Sequence, residues 1–134
     1  DTPAGIVRAE VRVENGLVQD VTFRNIPSFL YKRDLVVDVP TLGKLRLDIA
    51  WGGNFYAIVP AADVGLELVP ARIPEIVGKA SKIREAVFEQ VEVVHPENPN
   101  INRCTHVRFI GPAQNPGVTM RNTVFFGTDA IDRS

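Results

Sequence analysis

Apolar and polar residues alternate along much of the chain, the pattern of strands with one face turned inward. Val7, Ala9, Val11 and Val13 alternate with Arg8, Glu10 and Arg12. Successive strand side chains point to opposite faces, so this predicts a half-buried strand. Asn15-Gly16 follows, and Val18, Val21 and Phe23 carry a return strand. Asn and Gly both tolerate positive φ, so the pair predicts a tight turn and a hairpin over residues 6–26. Asn25-Ile26-Pro27-Ser28 ends it, because Pro27 has no N–H to give to a ladder. Leu35, Val36, Val37 and Val39 predict a short strand stopped by Pro40, and Gly43 marks a turn before the alternating Leu45-Arg46-Leu47-Asp48-Ile49. Trp51-Gly52-Gly53-Asn54 interrupts, and Phe55 to Val59 resumes as a nearly continuous apolar run, which predicts a strand buried on both faces.

Residues 70–92 carry a different period. Ile73, Ile76, Val77, Ala80, Ile83, Val87 and Val91 recur at spacings of three and four, one stripe of an α-helix. Pro74 sits near its start, where a missing N–H costs least. Lys79, Lys82, Arg84, Glu85 and Glu89 make the polar face, so the stripe is expected to pack against the rest of the protein. Pro96, Pro99 and several Asn make residues 95–102 a loop. Thr105 to Ile110 reads as a strand, Gly111 to Gly117 as a turn, and Thr123 to Phe126 as the last strand. The expected fold class is α+β, with about seven or eight mostly antiparallel strands around one long helix, since few strands are separated by helical segments.

Length and composition narrow the picture. The 134 residues suit one compact unit with its own core. Fifteen basic residues against sixteen acidic ones leave a net charge of −1, which argues against a basic nucleic-acid grip. No apolar run approaches the ~18 residues of a membrane span, so no membrane partner is expected. The single cysteine, Cys104, excludes an internal disulfide framework and a Cys-rich zinc site. The composition fits a cytoplasmic protein. The chain opens on Asp1 rather than Met and stops at Asp132-Arg133-Ser134, directly after an apolar run. It is therefore expected to be an internal piece of a longer protein.

Standard catalytic signatures are missing: there is no Walker loop, GxGxxG, HExxH or GxSxG. Gly52-Gly53-Asn54 lies between strands rather than opening a helix, so it reads as a turn or bulge before it reads as a phosphate cradle. His95 precedes Pro96 and belongs to a loop; His106 lies in a strand-like run, where it either packs or faces a pocket. Their spacing is not that of a helix-face metal pair, and no metal is expected. Cys104 is expected to be a buried small hydrophobe rather than a nucleophile or catalytic base.

Taken in order, several short motifs form a specific set. They are Asp1-Thr2-Pro3-Ala4-Gly5, Asn25-Ile26-Pro27-Ser28-Phe29-Leu30, Asp48-Ile49-Ala50-Trp51-Gly52-Gly53-Asn54-Phe55, His95-Pro96, Ile101-Asn102 and Ile131-Asp132-Arg133-Ser134. Together they resemble the proline racemase family, which includes proline racemases, 4-hydroxyproline 2-epimerases and trans-3-hydroxyproline dehydratases. The resemblance spans the whole chain. It implies a diaminopimelate-epimerase-like fold of two similar domains, each a β-structure wrapped around a helix, closing over a small imino acid. Residues 1–45 would then end the first domain and residues 46–134 begin the second. It implies a homodimer and no cofactor. One thiolate takes the α-proton while a second thiol returns one to the opposite face, in a closed site that stabilises carbanion character.

Both family cysteines lie in motifs this chain does not contain, a Met-Cys-Gly-His-Gly type and a Pro-Cys-Gly-Thr-Gly type. Cys104 matches neither. The resemblance thus implies a racemase or epimerase as the parent protein and no catalytic residue within this chain. Three substrate-binding positions carry across. Asp132 matches the aspartate that contacts the ring nitrogen, a charge-assisted contact. Phe126 matches an aromatic wall against the ring. His106 matches a position that is histidine in sequences resembling 4-hydroxyproline epimerases, where it bonds the ring hydroxyl. A trans-3-hydroxyproline dehydratase, which replaces the second cysteine by threonine, and a non-catalytic small-molecule-binding domain are the alternatives.

Overall fold

The computed structural model describes the backbone of residues 2–133 and the side chains of residues 2–132. Asp1 and Ser134, which close the terminal motifs, lie outside the described residues. Strands β1 (Arg8–Glu14) and β2 (Leu17–Arg24) form the expected antiparallel hairpin. Its turn has Asn15 at φ 52° and Gly16 at φ 78°, the left-handed pair that matches the twist of the flanking strands. Every residue of both strands is exposed. The alternation predicted one buried face, but no described element covers Val11, Val13, Val21 or Phe23, so both faces remain open.

The remaining strands form one six-stranded sheet. They are β3 (Phe29–Val39), β4 (Gly43–Trp51), β5 (Phe55–Pro60), β6 (Cys104–Pro112), β7 (Met120–Phe126) and β8 (Ala130–Arg133), in that spatial order. Neighbours pair antiparallel except β5 and β6, which run parallel. A parallel pair needs a long crossover, and helix α1 (Ile73–Gln90) provides it. The sheet is thus mostly antiparallel, as expected, with one βαβ unit at its centre. The boundary expected between residues 45 and 46 falls inside β4, which pairs with β3 on one side and β5 on the other.

The tight turn at Gly52-Gly53-Asn54 joins β4 to β5. Gly53 has φ 100°, and the Gly52 amide donates to the Asn54 carbonyl at 3.0 Å. The turn reading therefore holds over the phosphate cradle.

Helix α1 is shorter than the periodic pattern. Pro70–Arg72 form a 3-10 turn before it, and Val91 is extended at φ −126°, ψ 115°. Ile76, Ala80, Ile83 and Val87 are buried as predicted, whereas Ile73, in the first turn, is 39% exposed. Both edge strands, β3 and β8, reach the helix, as do β6 and β7, so the sheet curls around it. At the β3 edge the Gln90 carboxamide bonds both backbone groups of Asp38, each at 2.8 Å. A side chain there takes the place of a further strand on an otherwise open edge.

The core fills the space between sheet and helix. Leu45, Leu47, Ile49 and Trp51 of β4, Phe55, Ala57 and Val59 of β5, Val107 and Phe109 of β6, and Phe125 of β7 all point into it. Strand β5 was expected to be buried on both faces, but Tyr56 and Ile58 are only half-buried. The helix covers one face of the sheet; the other is the floor of the site described next.

Candidate functional site

Strand alternation places the functional side chains. Val107, Phe109, Thr123 and Phe125 face the helix, so His106, Arg108, Asn122, Val124 and Phe126 must face the other way. Asp132 of β8 and Tyr56 of β5 complete that face. Together these residues line an open cleft of about 420 Å³, a volume suited to a small ligand. His106, Phe126 and Asp132, the three residues expected to touch substrate, therefore meet in one place.

Two rows cross the cleft. In one, Tyr56 lies opposite His106 with ring centroids 5.1 Å apart, and the His106 and Phe126 rings stack at 6.2 Å with an interplanar angle of 18°. In the other, Arg108 lies opposite Val124, and Val124 opposite Asp132. The first row is aromatic and the second carries opposite charges at its ends. The backbone at Asp132 is held by the Thr123 hydroxyl, which donates to its carbonyl at 2.9 Å. Thr123 is itself buried, so β8 is anchored from the core side.

His106 is half-buried, and burial pushes its pKa below the usual histidine value, with the positive charge of Arg84 adding to the effect. A neutral imidazole is the result at neutral pH. Its Nδ1 lies 2.9 Å from the Thr105 hydroxyl, which occupies one ring nitrogen and leaves Nε2 for a ligand.

Cys104 belongs to the same strand but not to the cleft. It is buried, and desolvation pushes its thiol up to about 12, against smaller opposing effects from the His106 and Ala57 backbone. A thiol so placed is protonated at neutral pH and cannot act as a base. His95 lies on the core side of the sheet, edge-on to Trp51 at 4.5 Å and near Phe29 and Phe55. Its amide donates to the Ile101 carbonyl at 2.8 Å, and Nδ1 accepts from the Glu97 amide at 3.2 Å. It closes its loop, as expected.

Tyr56, Arg108 and Asn122 were not foreseen as site residues. Arg108 stands two positions after His106 in the same strand, a spacing that puts both on one face. Asn122 stands four before Phe126 by the same rule. That signal was present, but which face held the site depended on where the helix packed.

A family model described as proline racemase matches residues 1–134. A 4-hydroxyproline 2-epimerase from Ancylobacter novellus is 41% identical over all of this chain and 40% of its own length. A proline racemase from Clostridioides difficile is 37% identical over the same shares. The crystal structure of a hydroxyproline epimerase from Agrobacterium vitis, with bound trans-4-hydroxy-L-proline, superposes with a TM-score of 0.86 at 29% identity, covering 98% of this chain and 38% of that one. The chain thus spans about 40% of the length of the curated relatives it matches.

Proposed function

The chain belongs to the proline racemase family, and from that premise we propose that it forms one wall of the substrate site of an isomerase acting on 4-hydroxyproline. The observation that carries this reading is the meeting of His106, Phe126 and Asp132 in one cleft. The names of the relatives agree with it: a 4-hydroxyproline 2-epimerase and, among the structures, a hydroxyproline epimerase holding trans-4-hydroxy-L-proline.

In this reading Asp132 accepts hydrogen bonds from the secondary ammonium of the substrate. An ammonium kept protonated beside the α-carbon helps to stabilise negative charge developing there. Phe126 packs against the ring, and the free nitrogen of His106 bonds the 4-hydroxyl. The α-proton is moved by two thiols outside this chain, without a cofactor, in a cytoplasmic homodimer. We place the junction between two epimerase-like units earlier in the chain than the boundary expected between residues 45 and 46. The separation of the β1–β2 hairpin from the six-stranded sheet supports a junction, and the pairing of β3 with β4 favours setting it ahead of Phe29.

Steady-state kinetics on the full-length protein test the assignment. His106→Ala is expected to lower kcat/KM for 4-hydroxyproline by about 10–100-fold, the worth of a hydrogen bond to a site group. Proline, lacking the hydroxyl, loses far less. Asp132→Ala damages turnover of both substrates, because both carry the ring nitrogen. Equal losses on both substrates for His106→Ala would reduce the histidine to a structural role.

A further inference from the structure

The helix side of the sheet carries a charged group that the reading above leaves unused. The helical period sets Arg84 on the polar face of α1, yet the residue is half-buried. It lines a cavity of about 340 Å³ with Cys104, Thr105 and Gly127, at the end of the sheet where β6 begins and β7 ends. One guanidinium N–H donates to the Gly127 carbonyl, and the guanidinium lies over the Phe125 ring at 4.8 Å. Two contacts of different kinds, a charge-assisted hydrogen bond and a cation–π contact, thus tie α1 to the end of β7 and the turn after it. A planar guanidinium can donate along its edge and stack with its face at once, whereas an ammonium gives up one of the two.

What these contacts hold is the turn that presents the site. Gly127, at φ 65°, follows Phe126 directly and opens the turn over residues 127–129 that leads from β7 into β8. Strand β8 has four residues and lies at the sheet edge beside β7, so its own ladder holds Asp132 weakly. The Thr123 hydroxyl fixes the strand at the Asp132 end, and Arg84 fixes it at the turn. Arg84 bears on the third site residue as well. Its positive charge adds to the lowering of the His106 pKa, and Thr105, which shares its cavity, is the partner of the His106 ring. The other charged or titratable groups around His106 in the cleft are Tyr56 of β5, Asp132 of β8 and Arg108 of β6, whose shielded Nε has no hydrogen-bond partner.

We propose that Arg84 is a positioning residue of the substrate site: acting from the helix side of the sheet, it fixes the Gly127 turn and so sets where Phe126 and Asp132 stand beside His106. The assignment deepens the proposed function and rests on it.

Steady-state kinetics of the full-length protein, paired with an NMR titration of His106, test the role. Arg84→Gln is expected to lower kcat/KM by about 10–100-fold, as for a small misplacement of groups in a site. The factor is the same for proline and 4-hydroxyproline, because Phe126 and Asp132 serve both. The His106 midpoint rises, since a positive neighbour is lost. Arg84→Lys keeps the charge, so the midpoint stays at its wild-type value while kcat/KM recovers only in part. Lys82→Met, which removes a cation from the same helix, leaves both readings unchanged. Should Arg84→Gln fail to fold, Arg84→Lys carries the test through its unmoved midpoint and lowered kcat/KM. A loss of thermal stability with wild-type kinetics would mean that Arg84 only braces the fold. A loss confined to 4-hydroxyproline would mean that it acts on His106 alone, and full activity in Arg84→Lys that the charge alone matters. Each of these overturns the assignment, as does an equal loss for Lys82→Met. Wild-type protein that turns over neither imino acid would instead overturn the proposed function, and this role with it; wild-type turnover that ignores the Arg84 variants overturns this role alone.

Discussion

His106 and Cys104 are two residues apart in β6, and their chemistry diverges because one faces the cleft and the other is sealed from solvent. The imidazole is half-buried with its pKa below the usual value, through desolvation first and the Arg84 charge second. An NMR titration should therefore give His106 a midpoint below 6.5. Between that midpoint and 6.5 the unfolded chain binds more protons than the folded one, so folding stability falls as pH falls through this window. The stabilisation is fully present above 6.5, and His106→Gln removes this part of the pH dependence. A midpoint above 6.5 would show that a negative partner, rather than desolvation, dominates at this position. The residue types at positions 106, 126 and 132 were legible in the sequence through their motifs. Arg108 was not, because an arginine in a strand reads as a solvated residue until its lack of a partner is seen.

At the scale of elements, α1 and the β1–β2 hairpin are opposites. Both have a regular hydrophobic period, but only the helix finds something to pack against. Ile83 is fully buried between helix and sheet. Ile83→Ala is expected to cost about 2–5 kcal/mol in urea unfolding, whereas Glu89→Ala, on the exposed face, stays within about 0.5 kcal/mol. A similar small effect at Ile83 would mean that the helix does not hold the core. The helix was legible because its stripe is long and uniform. Its ends were less so: the 3-10 turn at Pro70–Arg72 and the extended Val91 depend on how the chain arrives from β5 and returns to β6. The short strand β8 escaped notice, because four residues give too little alternation to detect.

For the whole molecule, the parallel pairing of β5 with β6 puts His106 beside Tyr56, and the antiparallel return of β7 and β8 brings Phe126 and Asp132 to the same face. This gives a cleft lined by aromatic and charged side chains, with no described thiol within it to move an α-proton. Incubated with proline or 4-hydroxyproline in deuterated water, the 134-residue chain alone is expected to show no exchange of the α-proton by NMR. Cys104 supplies no base, its thiol being pushed up to about 12 on the buried side of β6. Exchange that vanished on Cys104→Ala would contradict this and make that cysteine catalytic.

Local rules operate over a few residues, and what they determine was readable in the sequence. The Asn15-Gly16 turn follows from the tolerance of two residues for positive φ, and the helix around Ile76, Ala80, Ile83 and Val87 from a repeat of three and four. The strand character of β4 follows from Leu45, Leu47 and Ile49, and the family from an ordered set of short motifs. Tertiary structure decided which face of each strand would be buried, because alternation supplies two faces and only the position of α1 chooses between them. That choice opened Tyr56, within an apolar run, to the cleft, whereas Val11, Val21 and Phe23 stayed exposed because no described element covers either face of the hairpin. Strand order had the same origin: the row of Arg108, Val124 and Asp132 joins residues 24 positions apart in sequence, and only the two antiparallel returns of the chain after β6 bring them level.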